Sequence, residues 1–262
     1  MTSQSVNSLA AITTTMKRLY VLLFKWLRII ASKIGLLRAL DARKNNRTVL
    51  WLRSLFAIYD IDEMFHLGVP WWTFQSIDTV ERFLECVPQA RVFEYGAGAS
   101  TVWLASRAGS VYFLEHDAEY KKIVDRYTAN CINVKGFLEV PVAKKSPAPF
   151  TSQRSGWQGM SFKNYVECLD DLDGFFNLIV IDGRCREQCL KYALRHLSET
   201  GCIVFDNSGR KRYHKVLKRL SYPKIETKGL TPCLPYPGQT TLIFKTAAMR
   251  DKLQFLSEVH KN

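Results

Sequence analysis

Short apolar runs alternate with longer amphipathic stretches from about residue 48 onward. The runs are rich in β-branched and aromatic residues and predict four strands: Arg91–Tyr95, Val111–Glu115, Asn177–Asp182 and Cys202–Asp206. In the other stretches, apolar residues recur at helical spacing: Ile77, Val80, Leu84 and Val87; Leu190, Ala193, Leu194 and Leu197; Tyr213, Val216, Leu217 and Leu220. Apolar strands that alternate with helices are typical of a parallel sheet covered on both faces. The pattern therefore predicts an α/β fold with an open, doubly wound, mostly parallel sheet and helices on both faces.

The first part of the chain follows a different pattern, in which cations are interspersed with apolar residues. Wound as a helix, residues 17–38 gather their cations within one arc: Lys17, Arg18, Lys25, Arg28 and Lys33. The opposite arc is apolar and holds Leu19, Leu23, Trp26, Leu27, Ile30, Ile34 and Leu37. No window of about 18 uncharged apolar residues occurs, which disfavours a transmembrane helix. We predict a basic amphipathic helical extension over residues 1–47, ahead of a domain over residues 48–262.

Three interpretations of this extension stay open at the level of sequence. It can dock on the domain through its apolar stripe, as amphipathic helices commonly do. It can lie on an anionic membrane surface through residues 17–38, with its cations toward the headgroups. It can also be a targeting segment, since it is rich in Ser and Thr and lacks acidic residues.

The charge of the chain is strongly basic and unevenly placed. Lysine and arginine number 37 against 24 aspartates and glutamates, which gives a net charge of +13. The excess lies at the two ends, because residues 1–40 and 207–262 hold few carboxylates. Such charge predicts an anionic partner and says nothing of the fold. The seven cysteines form no CxxC pair, so we predict a reducing, cytoplasmic location, with peripheral membrane association through the basic extension.

Acidic residues stand at or next to the ends of all four predicted strands: Glu94, Glu115, Asp182 and Asp206. In open α/β sheets, ligands bind beyond the carboxyl ends of the strands. Carboxylates are costly at buried strand ends unless something uses them. We therefore predict that the functional site lies at this edge of the sheet.

A glycine-containing loop follows the first predicted strand and leads into a helix. Gly96 permits a tight turn, and Gly98 lacks a Cβ, so a ligand can approach the backbone there. Ser100 and Thr101 stand at the helix start, where hydroxyls and free N–H groups can meet a polar ligand. Thr101 occupies the position at which a dinucleotide-binding loop has its third glycine.

The acids beside this loop indicate the kind of ligand. Glu94 stands two residues before Gly96, where it would repel a pyrophosphate and attract a cationic amine. Glu115 closes the second strand, where it is placed to accept hydrogen bonds from a ribose diol. The pattern favours a ligand with a ribose, an amino group and no phosphate, and argues against an NAD-dependent oxidoreductase.

These features resemble the class I S-adenosylmethionine-dependent methyltransferases, which have a Rossmann-like fold, over roughly residues 70–245. The resemblance is carried by residues 92–101, 114–117, 177–183 and 201–207. It implies that S-adenosyl-L-methionine is bound by Glu94, Tyr95, Gly96, Ala97, Gly98, Ser100, Thr101, Glu115, His116 and Asp182. In that likeness Glu115 binds the ribose and His116 lies beside the adenine. An insertion from Lys144 to Tyr165 departs from the family pattern and leaves the adenine-binding residue after the third strand unassigned.

The acids on the acceptor side leave the chemistry open. Asp182, Asp206 and Asn207 resemble the metal-binding set of catechol-type O-methyltransferases, and two carboxylates with an amide oxygen suit Mg²⁺. Alternatively, Asp182 only lines the cofactor pocket and Asp206 with Asn207 caps a helix. Asp182, Asp206 and His214 are the candidate catalytic residues, because an oxygen nucleophile must lose a proton.

Residues predicted to contact the acceptor are Trp71, Trp72, Arg184 and Arg210. The tryptophans can wall a pocket, and the basic run over residues 210–219 can attract an anionic acceptor. Few aromatic residues accompany these cations, which argues against nucleic acid. We predict transfer of a methyl group to an oxygen of a small or saccharide-like molecule. The alternative is a non-catalytic module of the same fold that docks on membranes or polyanions.

Overall fold

A computed structural model describes most of the chain, namely residues 22–58, 60–143, 150–152 and 156–259. The parts of the predicted extension and insertion that fall on residues 1–21, 144–149 and 153–155 lie outside it.

Helices and strands alternate along the described chain after a helical N-terminal part. The α-helices are α1 (residues 22–33), α2 (Leu36–Asp41), α3 (Arg47–Leu55), α4 (Ile61–Leu67), α5 (Phe74–Cys86), α6 (Ala99–Ala105), α7 (Ala118–Thr128), α8 (Lys163–Glu167), α9 (Arg186–Arg195), α10 (Lys211–Arg219) and α11 (Ala247–Val259). The strands are β1 (Arg91–Tyr95), β2 (Ser110–Glu115), β3 (Val134–Leu138), β4 (Val142–Ala143), β5 (Met160–Ser161), β6 (Phe176–Ile181), β7 (Leu197–Asp206), β8 (Lys224–Gly229) and β9 (Gly238–Phe244). A short 3₁₀ helix, Cys168–Asp171, leads from α8 toward β6.

Seven of these strands form one sheet in the order β3-β2-β1-β6-β7-β9-β8. Strands β3, β2, β1, β6 and β7 pair in parallel, and β9 runs antiparallel to both of its neighbours. The four strands predicted from the apolar runs are the central ones, β2, β1, β6 and β7. The fold prediction is confirmed, because this is a mostly parallel α/β sheet with helices on both faces.

The core is divided by the sheet into two layers. Alternate residues of each strand point to opposite faces, so Phe93 and Ile179 pack on one side with α8, α9 and α10. Val92 and Val180 pack on the other side, with helix α5 and with Leu253 of α11. All four strand residues are fully buried. Covering both faces leaves the carboxyl edge of the sheet as the place where loops can build a site.

The N-terminal part of the described chain is joined to the domain by buried charge pairs. Arg53 of α3 is 2% exposed and donates to Asp41 at 2.9 Å and to Glu63 at 2.8 Å. The domain boundary at residue 47 stays a prediction, and the Arg53–Asp41 contact crosses it. Among the described helices, none has the length and apolar character needed to cross a bilayer.

Candidate functional site

The loop after β1 packs backbone to backbone against the loop after β6. Gly96 has a φ of 90°, and a Cβ on it would lie 2.8 Å from the Cα of Gly183. A Cβ on Gly183 would in turn overlap the hydroxyl of Tyr165. Gly98 differs, because the nearest neighbour of an added Cβ would be the Tyr120 hydroxyl, at 3.6 Å. The first glycine thus lets two loops meet, and the second leaves the backbone open to a ligand.

The Glu94 side chain links the end of β1 to the start of α6 by hydrogen bonds. Its side chain is fully buried, and the hydroxyls of Ser100 and Thr101 donate to its two carboxylate oxygens, the latter at 2.6 Å. The same Thr101 oxygen accepts the N–H of Gly98 at 3.0 Å. Burial raises the pKa of Glu94 to about 8, and the two hydroxyls offset only part of this effect. The hydroxyls predicted to meet a ligand therefore bind Glu94.

Glu115 faces the glycine loop from the end of β2. One carboxylate oxygen accepts the N–H groups of His116 at 2.7 Å and Asp117 at 2.9 Å. The other oxygen accepts the N–H of Ala97 at 3.3 Å. Burial disfavours the ionised form, but the His116 side chain and these amides hold the pKa of Glu115 below its usual value. Glu115 is therefore negatively charged at neutral pH. Of its two carboxylate oxygens, the one bonded to Ala97 accepts fewer hydrogen bonds and is the freer to bind a ligand.

His116 links Glu115 to the loop after β6. Its Nδ1 lies 2.5 Å from a Glu115 oxygen, and its Nε2 accepts a hydrogen bond from Arg184 Nε at 3.1 Å. An accepting Nε2 places the imidazole proton on Nδ1, toward the carboxylate. The ring also contacts Trp157, with the ring centroids 4.9 Å apart. The histidine is held between a carboxylate, an arginine and an indole ring.

Three carboxyl groups converge on the glycine loop, those of Glu94, Glu115 and Asp182. Asp182 and Glu115 both add to the raised pKa of Glu94. Burial and then the same three acids also raise the pKa of Tyr120, whose hydroxyl lies over Gly98. At neutral pH Glu115 is ionised and Asp182 is partly ionised, so the potential around the loop is negative even though Glu94 keeps its proton. The loop therefore favours a cationic ligand and opposes a pyrophosphate.

Arg186, in the first turn of α9, lies buried between the ends of β6 and β7. Its Nη2 donates to the Asp182 carboxylate at 2.6 Å and to the Asp182 carbonyl oxygen at 2.8 Å. Its Nη1 donates to the carbonyl oxygen of Asp206 and, at 3.1 Å, to the Asp206 carboxylate. Nε donates to the Gly183 carbonyl oxygen at 3.2 Å. All five guanidinium N–H groups therefore end on oxygens at the two strand ends.

The two carboxylates bound by Arg186 differ in their access to solvent. The Asp182 side chain is 28% exposed, whereas that of Asp206 is 5% exposed. Asp206 also accepts hydrogen bonds from the Thr240 hydroxyl at 3.1 Å and from the Asn207 amide. Burial and the neighbouring Asp206 raise the pKa of Asp182 to about 7, although Arg186 acts in the opposite direction. Of the pair, Asp182 is the carboxylate placed to exchange a proton with a ligand.

The predicted metal set does not fit a metal ion. The guanidinium of Arg186 occupies the space between Asp182 and Asp206 that a cation would need. The Asn207 amide turns its nitrogen toward Asp206, and its oxygen accepts a hydrogen bond from Arg210. The described residues contain no group of three or more His, Cys, Asp or Glu that could hold a metal. The described residues therefore do not support the Mg²⁺ prediction, because Arg186 supplies the positive charge between the two carboxylates.

Several other predicted residues lie away from the glycine loop or are engaged elsewhere. Trp72 is fully buried against Trp103 in the core, so its prediction as a pocket wall is wrong. Trp71 packs on a separate small cluster with Ile58. Tyr95 points into the core, so only its backbone borders the loop.

The remaining candidates are accounted for by their contacts. His214 is exposed on α10, with Nε2 3.1 Å from the Gly209 carbonyl oxygen. Asp206 is buried and fully engaged, which excludes it as the proton acceptor. Arg184 reaches His116, and Arg210 reaches Asn207, so both border the site.

Sequence reasoning missed Gly183, Arg186 and Tyr120. Arg186 carried no clear sequence signal, because the residues between it and Asp182 form a loop and α9 begins only at Arg186. Gly183 follows an acid-ended strand, as Gly96 does, and requires the same absence of a side chain. Tyr120 carries no sequence signal, because its role depends on how α7 packs beside the loop.

The strand order is that of a Rossmann-like, mostly parallel α/β fold, with a glycine bend after β1 and an acid at the end of β2. No protein-family model matches the sequence, and the search of curated proteins gives no match.

Solved structures to which the chain is similar include an rRNA methylase from Streptococcus thermophilus, at 12% identity and a TM-score of 0.46, covering 64% of this chain and 95% of the other. A methyltransferase-like protein from Silicibacter pomeroyi is similar at 19% identity and a TM-score of 0.42, over 67% of this chain and 91% of the other. A cofactor-bound protein from MTB is similar at 18% identity and a TM-score of 0.45, over 64% and 79% of the two chains.

Proposed function

We propose that the protein is an S-adenosylmethionine-dependent methyltransferase. The observation that supports this most is the convergence of Glu94, Glu115 and Asp182 on a glycine bend whose backbone is open at Gly98. S-adenosylmethionine carries a positively charged sulfonium and an ammonium group, which these negatively charged surroundings attract, whereas they repel the pyrophosphate of NAD. Thr101, which binds Glu94, replaces the third glycine that a dinucleotide loop needs.

The cofactor fits the residues that surround the loop. The backbone from Gly96 to Gly98 would hold the methionine part, and the less engaged oxygen of Glu115 would accept the ribose hydroxyls. His116 and Trp157, whose rings are in contact, would border the adenine. When bound, S-adenosylmethionine supplies an activated methyl group that a nucleophile displaces in line.

We propose as acceptor an oxygen nucleophile on a small or saccharide-like molecule. In this proposal a hydroxyl oxygen takes the methyl group, its proton passes to Asp182, and S-adenosylhomocysteine leaves. A base is most effective when its pKa is near the working pH, and that of Asp182 is about 7. Arg186 holds one oxygen of Asp182 at 2.6 Å and so orients the carboxylate. Arg184 and Arg210 would attract an anionic group of the acceptor.

Calorimetry of the full chain tests the proposed cofactor. We expect S-adenosylmethionine and S-adenosylhomocysteine to bind and NAD not to bind. Glu115→Gln should weaken binding roughly tenfold or more through the lost charge-assisted hydrogen bond. Glu119→Gln is the matched control, because this neighbouring glutamate is 80% exposed. Equal binding by both variants, or tight binding of NAD, would contradict the proposal.

A second candidate is a non-catalytic module of the same fold that docks on membranes or polyanions. It is favoured by α10, where four cations are exposed and form no ion pair within the described part of the chain: Lys211, Lys215, Lys218 and Arg219. Measured turnover with S-adenosylmethionine and a library of hydroxyl acceptors separates the two. Cofactor binding without turnover, together with salt-sensitive retention on heparin, would support the second candidate.

A further inference from the structure

Helix α1 (residues 22–33) is attached to the domain along one side only. Phe24 contacts Phe56 edge to face, with ring centroids 6.5 Å apart, and Arg28 pairs with Asp60 at 2.6 Å. Ala31, on the same side of the helix, is 3% exposed. The helix thus docks on the domain, but not through the predicted apolar stripe, because Trp26 is exposed and Arg28 of the predicted cationic arc makes a contact.

The opposite side of α1 is apolar and exposed. Leu22, Trp26 and Ile29 follow one another at helical spacing and are 63%, 62% and 54% exposed. Ile34 and Leu36, just beyond the helix, are also exposed. The stripe formed by Leu22, Trp26 and Ile29 is called here the outer stripe. Contiguous apolar residues exposed in this way, flanked by polar ones, are typical of an interaction site.

The charges beside the outer stripe indicate what that partner is. Every charged residue between positions 22 and 40 is a cation: Lys25, Arg28, Lys33 and Arg38. Of these, Arg28 is engaged with Asp60. Lys25 and Lys33 are exposed beside the outer stripe. A second copy docked symmetrically on this face would bring the lysines of both chains into one interface, which like-charge repulsion opposes. An anionic lipid surface satisfies both the apolar stripe and the lysines.

We propose that α1 is an interfacial membrane-docking helix, which lies along an anionic bilayer with Leu22, Trp26 and Ile29 among the lipid headgroups and acyl chains. An indole ring such as that of Trp26 is well suited to this interface, because it is largely apolar with one polar N–H. The proposal rests on α1 alone and stands whether or not the domain transfers methyl groups.

The position of α1 connects the docking surface to the glycine loop. Arg28 of α1 pairs with Asp60, which caps the N-terminus of α4. Phe65 of α4 packs in a cluster that includes Ala97 and Tyr120, the residues beside the loop. The docking helix is thus linked through α4 to the cluster beside the candidate cofactor site.

Vesicle flotation of the full chain tests this proposal. We expect binding to phosphatidylcholine vesicles that contain about 30% phosphatidylserine, and little binding to phosphatidylcholine alone. Replacing Leu22, Trp26 and Ile29 together by glutamine should abolish flotation. Phe255→Gln is the matched control, because this phenylalanine is 64% exposed elsewhere on the surface. Lys25→Gln with Lys33→Gln should lower the partition coefficient about fivefold per lysine.

Three readouts keep the outcome unambiguous. The triple variant should retain the thermal midpoint of the parent chain and its binding of S-adenosylmethionine, which shows that the domain is folded. Flotation that survives the triple substitution would overturn the proposal, as would equal binding to uncharged and anionic vesicles. A parent chain that does not float, but whose dimer in light scattering disappears in the triple variant, would assign the outer stripe to a second copy instead.

Discussion

Replacing Arg186 by methionine should destabilise the protein strongly. The substitution keeps an unbranched side chain of similar reach but removes five N–H donors, which leaves Asp182 and Asp206 facing each other without a cation. Removing one partner from a buried ion pair costs about 3–5 kcal/mol. Arg195→Met is the control, because this arginine lies on the same helix in an exposed pair with Asp170, and its loss should cost less than about 1 kcal/mol.

The pH dependence of the Arg186→Met variant provides a second check. Without the guanidinium, the pKa of Asp182 should rise above its value of about 7 in the parent chain. A folded pKa above the unfolded value means that the folded state binds more protons, so the free energy of unfolding falls as pH rises through that window. Urea unfolding at pH 6 and pH 8 should therefore show the larger loss at pH 8, and Asp182→Asn should restore part of it.

A loss below about 1 kcal/mol at both pH values would refute this reasoning, since it would mean that the two carboxylates need no buried cation. An equal loss in the Arg195→Met control would point instead to a general weakening of α9.

Three further predictions concern the glycine loops and the acids around them. Gly98→Ala should change the free energy of unfolding by less than about 0.5 kcal/mol in urea, since the added Cβ contacts few atoms, but should weaken S-adenosylmethionine binding in calorimetry. Gly183→Ala should lower the free energy of unfolding by about 1–3 kcal/mol, because its Cβ overlaps the Tyr165 hydroxyl. The rate of methyl transfer should rise with pH and level off above about 7, as Asp182 loses its proton, and Asp182→Asn should remove this rise in a pH–rate profile. Buried Glu94, with a pKa of about 8, holds its proton only in the folded state between about pH 5 and 8. In this range the free energy of unfolding of the parent chain should therefore fall, relative to that of Glu94→Gln, by on the order of 1 kcal/mol per pH unit. Parallel slopes of the two proteins in denaturant titrations would contradict this.

The central strands were predictable because burial on both faces leaves a local signature in the sequence. Strands β1, β2 and β6 and the second half of β7 are largely runs of buried, mostly apolar residues. The strands toward the edges gave no such signal. In β3, half-buried residues alternate with exposed ones, and Gly136 interrupts the run because Phe113 occupies the space of its side chain. Edge strands with mixed polarity cannot be distinguished from loops by pattern alone.

The acids of the site were predictable for a topological reason. Parallel strands end at the same edge of a sheet, so Glu94, Glu115, Asp182 and Asp206 had to lie near one another. What the sequence could not show is how they are compensated. Arg186 lies on a helix rich in polar residues, and only the packing of α9 buries it between two carboxylates. The burial of Trp72 was not predictable for the same reason, because it depends on tertiary contacts such as that with Trp103.

The contact between Gly96 and Gly183 has a mechanical consequence. The backbones of these two bends are in direct contact, without a side chain between them, so neither bend can shift without displacing the other. Gly96 belongs to the half of the edge that would receive the cofactor, and Gly183 follows Asp182 directly in the half that would receive the acceptor. A shift of one bend on ligand binding would therefore be passed to the other half through the backbone.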